Sequence, residues 1–179
     1  MQELLSLHVP AFAELWYRQR LLQDADTMAY NKGYALGFAG YDPKTGCIAF
    51  PESEWADWYG YFIGQEPLRY YAYIVRDSDS AFLGEVNLHK APDAEGYEMG
   101  IVFEARHRGK GCAAGALRLL LRHAFEVLDA NAVCNDFEET RSAALQAHLS
   151  AGFSVTGRKD GMMSLAITRE SYFQHHRHA

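Results

Sequence analysis

The stretch that most constrains this chain is Arg106-His107-Arg108-Gly109-Lys110-Gly111-Cys112-Ala113, together with what flanks it. Before it runs an extended apolar segment, Tyr97 to Phe103. After it, the segment from Ala114 carries Leu117, Leu120, Leu121, Ala124 and Leu128 at helical spacing. The order is therefore strand, basic glycine turn, helix. A helix N-terminus leaves backbone N–H groups without internal partners, and these can bind an anion. Gly109 and Gly111 have no Cβ, so a phosphate can reach those amides, while Arg106, Arg108 and Lys110 add positive charge. The same glycines also make an ordinary tight turn, so the motif by itself is a weak signal.

A second motif strengthens the first. Ala143 to Ala151 reads as a helix that stops at Gly152-Phe153. Arg106, Gly109 and Gly111 fit an Arg/Gln-x-x-Gly-x-Gly/Ala pattern, and Glu98 to Phe103 precedes it as a strand. In this order and at this separation, the two motifs resemble the GCN5-related N-acetyltransferase (GNAT) family over about residues 70 to 168. The resemblance implies an α/β (α+β) fold. Its mixed, mostly antiparallel sheet would have about six or seven strands, splayed at the centre and flanked by about four helices. It also implies acetyl-CoA as cosubstrate. The pantetheine arm would pair with Ile101, Val102 and Phe103, as an added strand satisfies exposed backbone groups. The pyrophosphate would meet the amides of Arg108, Gly109, Lys110, Gly111, Cys112 and Ala113. Relatives often carry Asn where this chain has Arg141, which can still meet a phosphate, and Asn135 is a second candidate for that contact.

Composition bounds the rest. A chain of 179 residues fits one domain, with residues 1–68 on the acceptor side and 69–168 forming the acetyl-CoA-binding core. A hydrophobic fraction of 49% supports a substantial core, and no apolar run approaches the ~20 residues that cross a bilayer. The start of the chain reads as lacking a secretory signal. Cys47, Cys112 and Cys134 have no metal spacing and read as reduced thiols, so the expectation is a cytoplasmic protein without a metal. A net charge of −6 disfavours nucleic acid as a partner, and the basic cluster at 106–110 suits a small anion. A homodimer is left open.

Along the chain, Pro10 to Asp24 reads as a helix that Asp24-Ala25-Asp26-Thr27 breaks. Residues 30–51 read as a long ordered loop rich in Gly and Tyr. The resemblance makes Tyr30, Asn31, Tyr34 and Tyr41 candidates for contact with the acceptor, and aromatic filling of a satellite core is the other reading. A helix is expected from Pro51 to Gly64, its aromatic stripe reading as core. Strands are expected over 69–76, 81–90 and 97–104, with Gly84 marking a bulge or close approach and 91–96 a turn. Further expectations are a helix over 109–128, a strand over 131–136, a helix over 140–151, strands over 153–157 and 162–168, and a frayed tail through His175, His176, Arg177 and His178.

Acetyl transfer to an amine needs a neutral amine, a donor for the oxyanion and a way for the thiolate to leave. The resemblance places Glu98 as general base, directly or through water, with Glu85 in reserve. A backbone N–H near Val102 would serve the oxyanion. Relatives carry a Tyr acid at the position of His148, whose imidazole could protonate or hydrogen-bond the thiolate. Each has a plainer reading: Glu98 orders water or binds a cationic acceptor, and His148 packs and bonds a carbonyl. The function expected is acetyl-CoA-dependent N-acetyl transfer to a primary amine of a small molecule, peptide or protein. The alternative is a non-catalytic acyl-CoA-binding sensor of the same fold.

Overall fold

The computed structural model describes residues 3–37, 39–90 and 96–176, with the side chains of residues 175 and 176 excepted. One seven-stranded sheet carries the chain, in the order β1-β2-β3-β4-β5-β7-β6. The strands are β1 (Leu5–His8), β2 (Arg69–Arg76), β3 (Ala81–Lys90), β4 (Tyr97–Phe103), β5 (Ala132–Glu138), β6 (Ser154–Lys159) and β7 (Met162–Thr168). Neighbours pair antiparallel throughout except β4 and β5, which are parallel. The mixed, mostly antiparallel sheet flanked by helices expected from the resemblance is therefore the architecture.

Strand β2 shows why the chain folds this way. Its alternate residues go to two different cores. Tyr70, Ala72 and Ile74 join the core under α4 (Cys112–Arg122), while Tyr71 and Tyr73 pack with Tyr17 and Leu21 of α1 (Leu15–Gln23). A period-two sequence that is apolar on both sides makes a strand buried on both faces. Helix α3 (Trp55–Phe62) adds Trp58 and Phe62 to the second core, while Trp55 is buried in a third cluster with Leu15 and Phe50. The aromatic stripe of α3 is core, as its spacing predicts.

Helix α4 buries Ala116, Leu117, Leu120 and Leu121, then widens to π geometry over His123–Val127. Helices α5 (Ser142–Ser150) and α6 (Arg169–His176) pack on the same core through Ala144, Leu145, Ala147 and Tyr172.

Three expectations are corrected. The helix over Pro10–Asp24 opens as a 3-10 turn at Phe12–Glu14, and after an extended Asp24 a second helical turn, α2 (Ala25–Met28), follows where a break was expected. The tail expected from His175 onward is helical to His176; Arg177 and His178 lie outside the described residues. The turn expected over 91–96 also lies outside them, apart from Gly96. The long loop over 30–51 stands as expected, holding a single bridge between Tyr41 and Ile48 among the described residues.

Gly84 marks both a bulge and a close approach. The register passes from Ile74↔Gly84 to Val75↔Phe82, leaving Leu83 as the extra residue. A Cβ on Gly84 would stand 2.0 Å from the Val102 carbonyl oxygen.

Candidate active site

The sheet parts between β4 and β5. Their parallel ladder pairs Tyr97 with Val133 and Glu98 with Cys134, and no further. Strand β4 nevertheless continues to Phe103 and β5 to Glu138. Past the apex, the β5-facing edge of β4 has no strand partner, so its backbone groups can take an extended ligand.

A cavity of about 720 Å³ opens along this gap. Ile101, Val102 and Phe103 line one wall, the turn from Arg108 to Ala113 the floor, and α5 from Ser142 to His148 the other wall. Gly111 is the N-cap of α4, with φ 79°. Gly109 also has positive φ, 74°, and no heavy atom stands within 4 Å of where either Cβ would be. Left-handed backbone explains why both are glycine, and the empty space above them leaves the first amides of α4 open to an anion. These features fit a phosphate-bearing thioester with an amide-rich arm.

The side chains of the turn are used differently from the expectation. Arg106 turns away, its Nε donating to Glu104 Oε2 at 2.6 Å, and it is absent from the cavity wall. Arg108 donates to the carbonyls of Phe103 (3.1 Å), Asp26 (3.2 Å) and Thr27 (2.5 Å), so its guanidinium pins α2 to the end of β4. The Cys112 thiol is buried 3.1 Å from Glu3 Oε2, and burial together with that carboxylate pushes it up to about 11. Arg108 and Lys110 are both exposed and both line the cavity, but the guanidinium of Arg108 is engaged by those carbonyls. What the turn offers an anion is chiefly backbone.

On the α5 wall, His148 is 2% exposed and packs between Phe137 and Phe153. Its Nδ1 stands 2.8 Å from the Ala144 carbonyl oxygen and must donate to it. Nε2 stands 3.0 Å from Asn135 Nδ2 and accepts from it. Burial holds the ring's pKa below its ordinary value, so it is neutral with its one proton on Nδ1. This corrects two expectations: His148 has no proton to give a thiolate, and Asn135 is occupied with His148 and does not line the cavity. Arg141 does line it, with its guanidinium 5.0 Å from the centre of the Tyr30 ring.

The opposite face of β2–β4 holds a second cavity, of about 590 Å³. Register sets three cross-strand rows on this face, Arg69–His89–Glu98, Tyr71–Asn87–Gly100 and Tyr73–Glu85–Val102, and all but Tyr73, Gly100 and Val102 line the cavity. Glu98 is an exposed carboxylate, with His89 Nε2 2.9 Å from its Oε2. Asn87 occupies the space that a Cβ on Gly100 would take. Glu85 is buried and engaged twice, by Arg18 Nη1 at 2.5 Å and by the Tyr71 hydroxyl. Burial works against the charge on Arg18, but Glu85 outweighs it and raises its pKa. Arg18 also lies over the Trp58 ring at 4.5 Å. Glu85 is thus the buried partner of a part-buried guanidinium, which corrects its expectation as a reserve base. Val102 borders the first cavity and Glu98 the second, four residues apart on one face, or about 13 Å along the strand.

The aromatic candidates of the long loop distribute unevenly. Tyr30 lines the cavity on the α5 side, and burial, then Glu85, raises its pKa. Asn31, Tyr34 and Tyr41 line neither cavity; the Tyr41 hydroxyl donates to the Asn31 carbonyl at 2.5 Å. Sequence reasoning missed Arg18, Asn87 and His89. Arg18 stands 67 residues from Glu85 and has no spacing signal. Asn87 and His89 follow from the β3–β4 register once the hairpin is drawn.

Among the described residues the sheet is thus parted at its one parallel pair, with a glycine turn and a helix N-terminus beneath the gap. The sequence model of the acetyltransferase (GNAT) domain matches residues 6–154, and the chain belongs to the GNAT family. Among solved structures, the spermidine N-acetyltransferase from Vibrio cholerae, in complex with CoA and spermine, superposes with a TM-score of 0.74 at 17% identity. That match covers 94% of this chain and 98% of that one. A GNAT-family acetyltransferase from Bacillus anthracis gives a TM-score of 0.70 at 16% identity, covering 95% and 98%. At these identities the likeness is one of fold. No curated protein matches the sequence. Among the described residues no helix is long and apolar enough to cross a membrane.

Proposed function

We propose that this chain is an acetyl-CoA-dependent N-acetyltransferase acting on the primary amine of a small molecule. The observation that carries the reading is the β4–β5 ladder that stops after Glu98 above an open glycine cradle. In it, the unpaired edge at Ile101–Phe103 would hold the pantetheine arm, and the amides from Arg108 to Ala113 the pyrophosphate. The Vibrio cholerae structure named above, a spermidine N-acetyltransferase in complex with CoA and spermine, supports a small amine over a protein acceptor.

Bound acetyl-CoA supplies the acetyl carbon and a thiolate leaving group. Glu98 takes the proton that the attacking amine must shed, since alkylamines are mostly protonated near neutral pH. Its distance from Val102 along β4, about 13 Å, calls for a chain of waters between carboxylate and amine. His89 fixes the carboxylate and is the positioning residue. A β4 backbone N–H near Val102 donates to the carbonyl oxygen as charge grows there. The C–N bond forms, the C–S bond breaks, and the thiolate departs without a proton from His148, whose ring is committed elsewhere.

Free-thiol release from acetyl-CoA with an amine panel tests the proposal. Turnover with at least one amine is expected, and Glu98→Gln should lower kcat/KM by roughly a hundredfold at neutral pH, less at alkaline pH where the amine arrives neutral. Tight CoA binding without thiol release would instead support the non-catalytic acyl-CoA-binding reading. Loss of CoA binding in Gly111→Asp, which puts a carboxylate into the cradle, is the matching control by calorimetry. An unchanged affinity there would remove the cradle.

A further inference from the structure

The second cavity has the wrong charge for a polyamine. Among the described residues its lining carries three permanent cations, Arg18, Arg69 and Lys90, against two carboxylates, Glu85 and Glu98. The chain as a whole is the reverse, with 17 Lys and Arg against 23 Asp and Glu. The carboxylates are also engaged: Glu85 by Arg18 and Tyr71, Glu98 by His89. Arg69 is different. Its guanidinium lies 3.7 Å from the Tyr61 ring centre and donates to the Tyr61 hydroxyl at 2.5 Å. Among the described residues no carboxylate pairs with it. Among these described groups a ligand cation would meet more positive than negative charge and two carboxylates already engaged, while a ligand anion would find a guanidinium fork that no carboxylate pairs, oriented by an aromatic ring.

The row Arg69–His89–Glu98 places cation and carboxylate at opposite ends of one line across three strands. Their backbones stand two strand spacings apart, about 10 Å, and long side chains shorten that span. Trp58, Tyr61 and Phe62 wall the space above. We infer that the acceptor is a primary amine that also carries an anionic group, a carboxylate or phosphate held by Arg69 while the amine points along β4 from Glu98 toward the gap at Val102. This rests on the transferase reading above and narrows its substrate. It also separates this chain from the spermidine acetyltransferases that share its fold.

Matched amine pairs that differ only in the anion test it, by thiol release from acetyl-CoA: lysine against cadaverine, phenylalanine against phenethylamine, and phosphoethanolamine against ethanolamine, with spermidine as a further arm. The anionic member of at least one pair should show a kcat/KM higher by about tenfold or more. The pair that responds tells carboxylate from phosphate. In Arg69→Gln that ratio should fall to near one, and in wild type it should shrink as salt rises. A melting curve of the variant guards against a folding defect, and Lys90→Gln provides a second variant at the rim. If cadaverine or spermidine is turned over as well as the anionic amines, or Arg69→Gln keeps the ratio, the inference falls and the transferase reading stands. If no amine of any pair releases thiol, both fall.

Discussion

Glu85 and His148 show what burial does to a titratable side chain that sequence alone nominates for chemistry. Among the described residues Glu85 is the carboxylate paired with Arg18, whose side chain is 16% exposed. Glu85→Gln would leave that guanidinium without its counter-charge, which costs roughly 3–5 kcal/mol. Chemical denaturation should show this loss, and a variant as stable as wild type would mean the pair is better solvated than its geometry indicates. For His148 the ordinary pKa is near 6.5 and the folded value lies lower because the ring is buried. The unfolded chain therefore binds a proton first as pH falls, so stability is full above about 6.5 and declines through the folded pKa. His148→Phe, placed among Phe137 and Phe153, should flatten that acid decline without removing it, since buried His107 is shifted the same way. Identical acid profiles for variant and wild type would contradict the neutral assignment. The places of Glu98 on β4 and of the two glycines ahead of α4 were legible in the sequence because each sits inside a local motif. Arg18, Arg69 and His89 were not, because what gives them meaning is a neighbour brought close only by sheet register or by helix packing.

At the scale of elements, most strands could be read because short turns and period-two patterning bound them, and β2 and β3 run over the residues the pattern gives. Helices α2 and α6 escaped for a common reason: neither has an apolar stripe. Helix α6 depends on Tyr172 stacking on Phe125 and on Thr168 Oγ1 accepting from the Ser171 amide at 3.2 Å. That Thr168-x-x-Ser171 start was the available signal. Helix α2 is held from outside, by Arg108 on its carbonyls and by Thr27 Oγ1 accepting from the Ala105 amide at 2.9 Å. The β3–β4 pair carries an expected outcome of its own. Gly84→Ala would drive a methyl into the Val102 carbonyl, where backbone cannot yield cheaply. A loss of roughly 1–3 kcal/mol should follow. Because Glu85 and Val102 share the next rung, CoA affinity should fall with it. A variant with wild-type melting and wild-type affinity would show that the two strands can separate at that rung without consequence.

For the whole molecule, the sheet is two blocks, β1 to β4 and β5 with β7 and β6, stitched by the ladder pairs at Tyr97 and Glu98 and by the core that α4 shares with both. The gap between the blocks is an unfilled strand position. A thioester with an amide-rich arm that fills it would bridge both halves through β4, α4 and α5, and it would bind the native state alone. Linkage then requires CoA to raise stability by about 2.7 kcal/mol at a hundredfold excess over its Kd. The melting temperature should climb with the logarithm of CoA concentration. Amide exchange should slow in Ile101 to Phe103 and in the turn from Arg108 to Ala113, while β2 and β3, already paired on both sides, change little. ATP, which has phosphates but no amide-rich arm, separates the two halves of the argument: it should protect the turn and leave β4 exchanging as before. Protection of β4 by ATP as strong as by CoA would mean that the parted strands respond to the turn alone and that the gap is not a pantetheine channel.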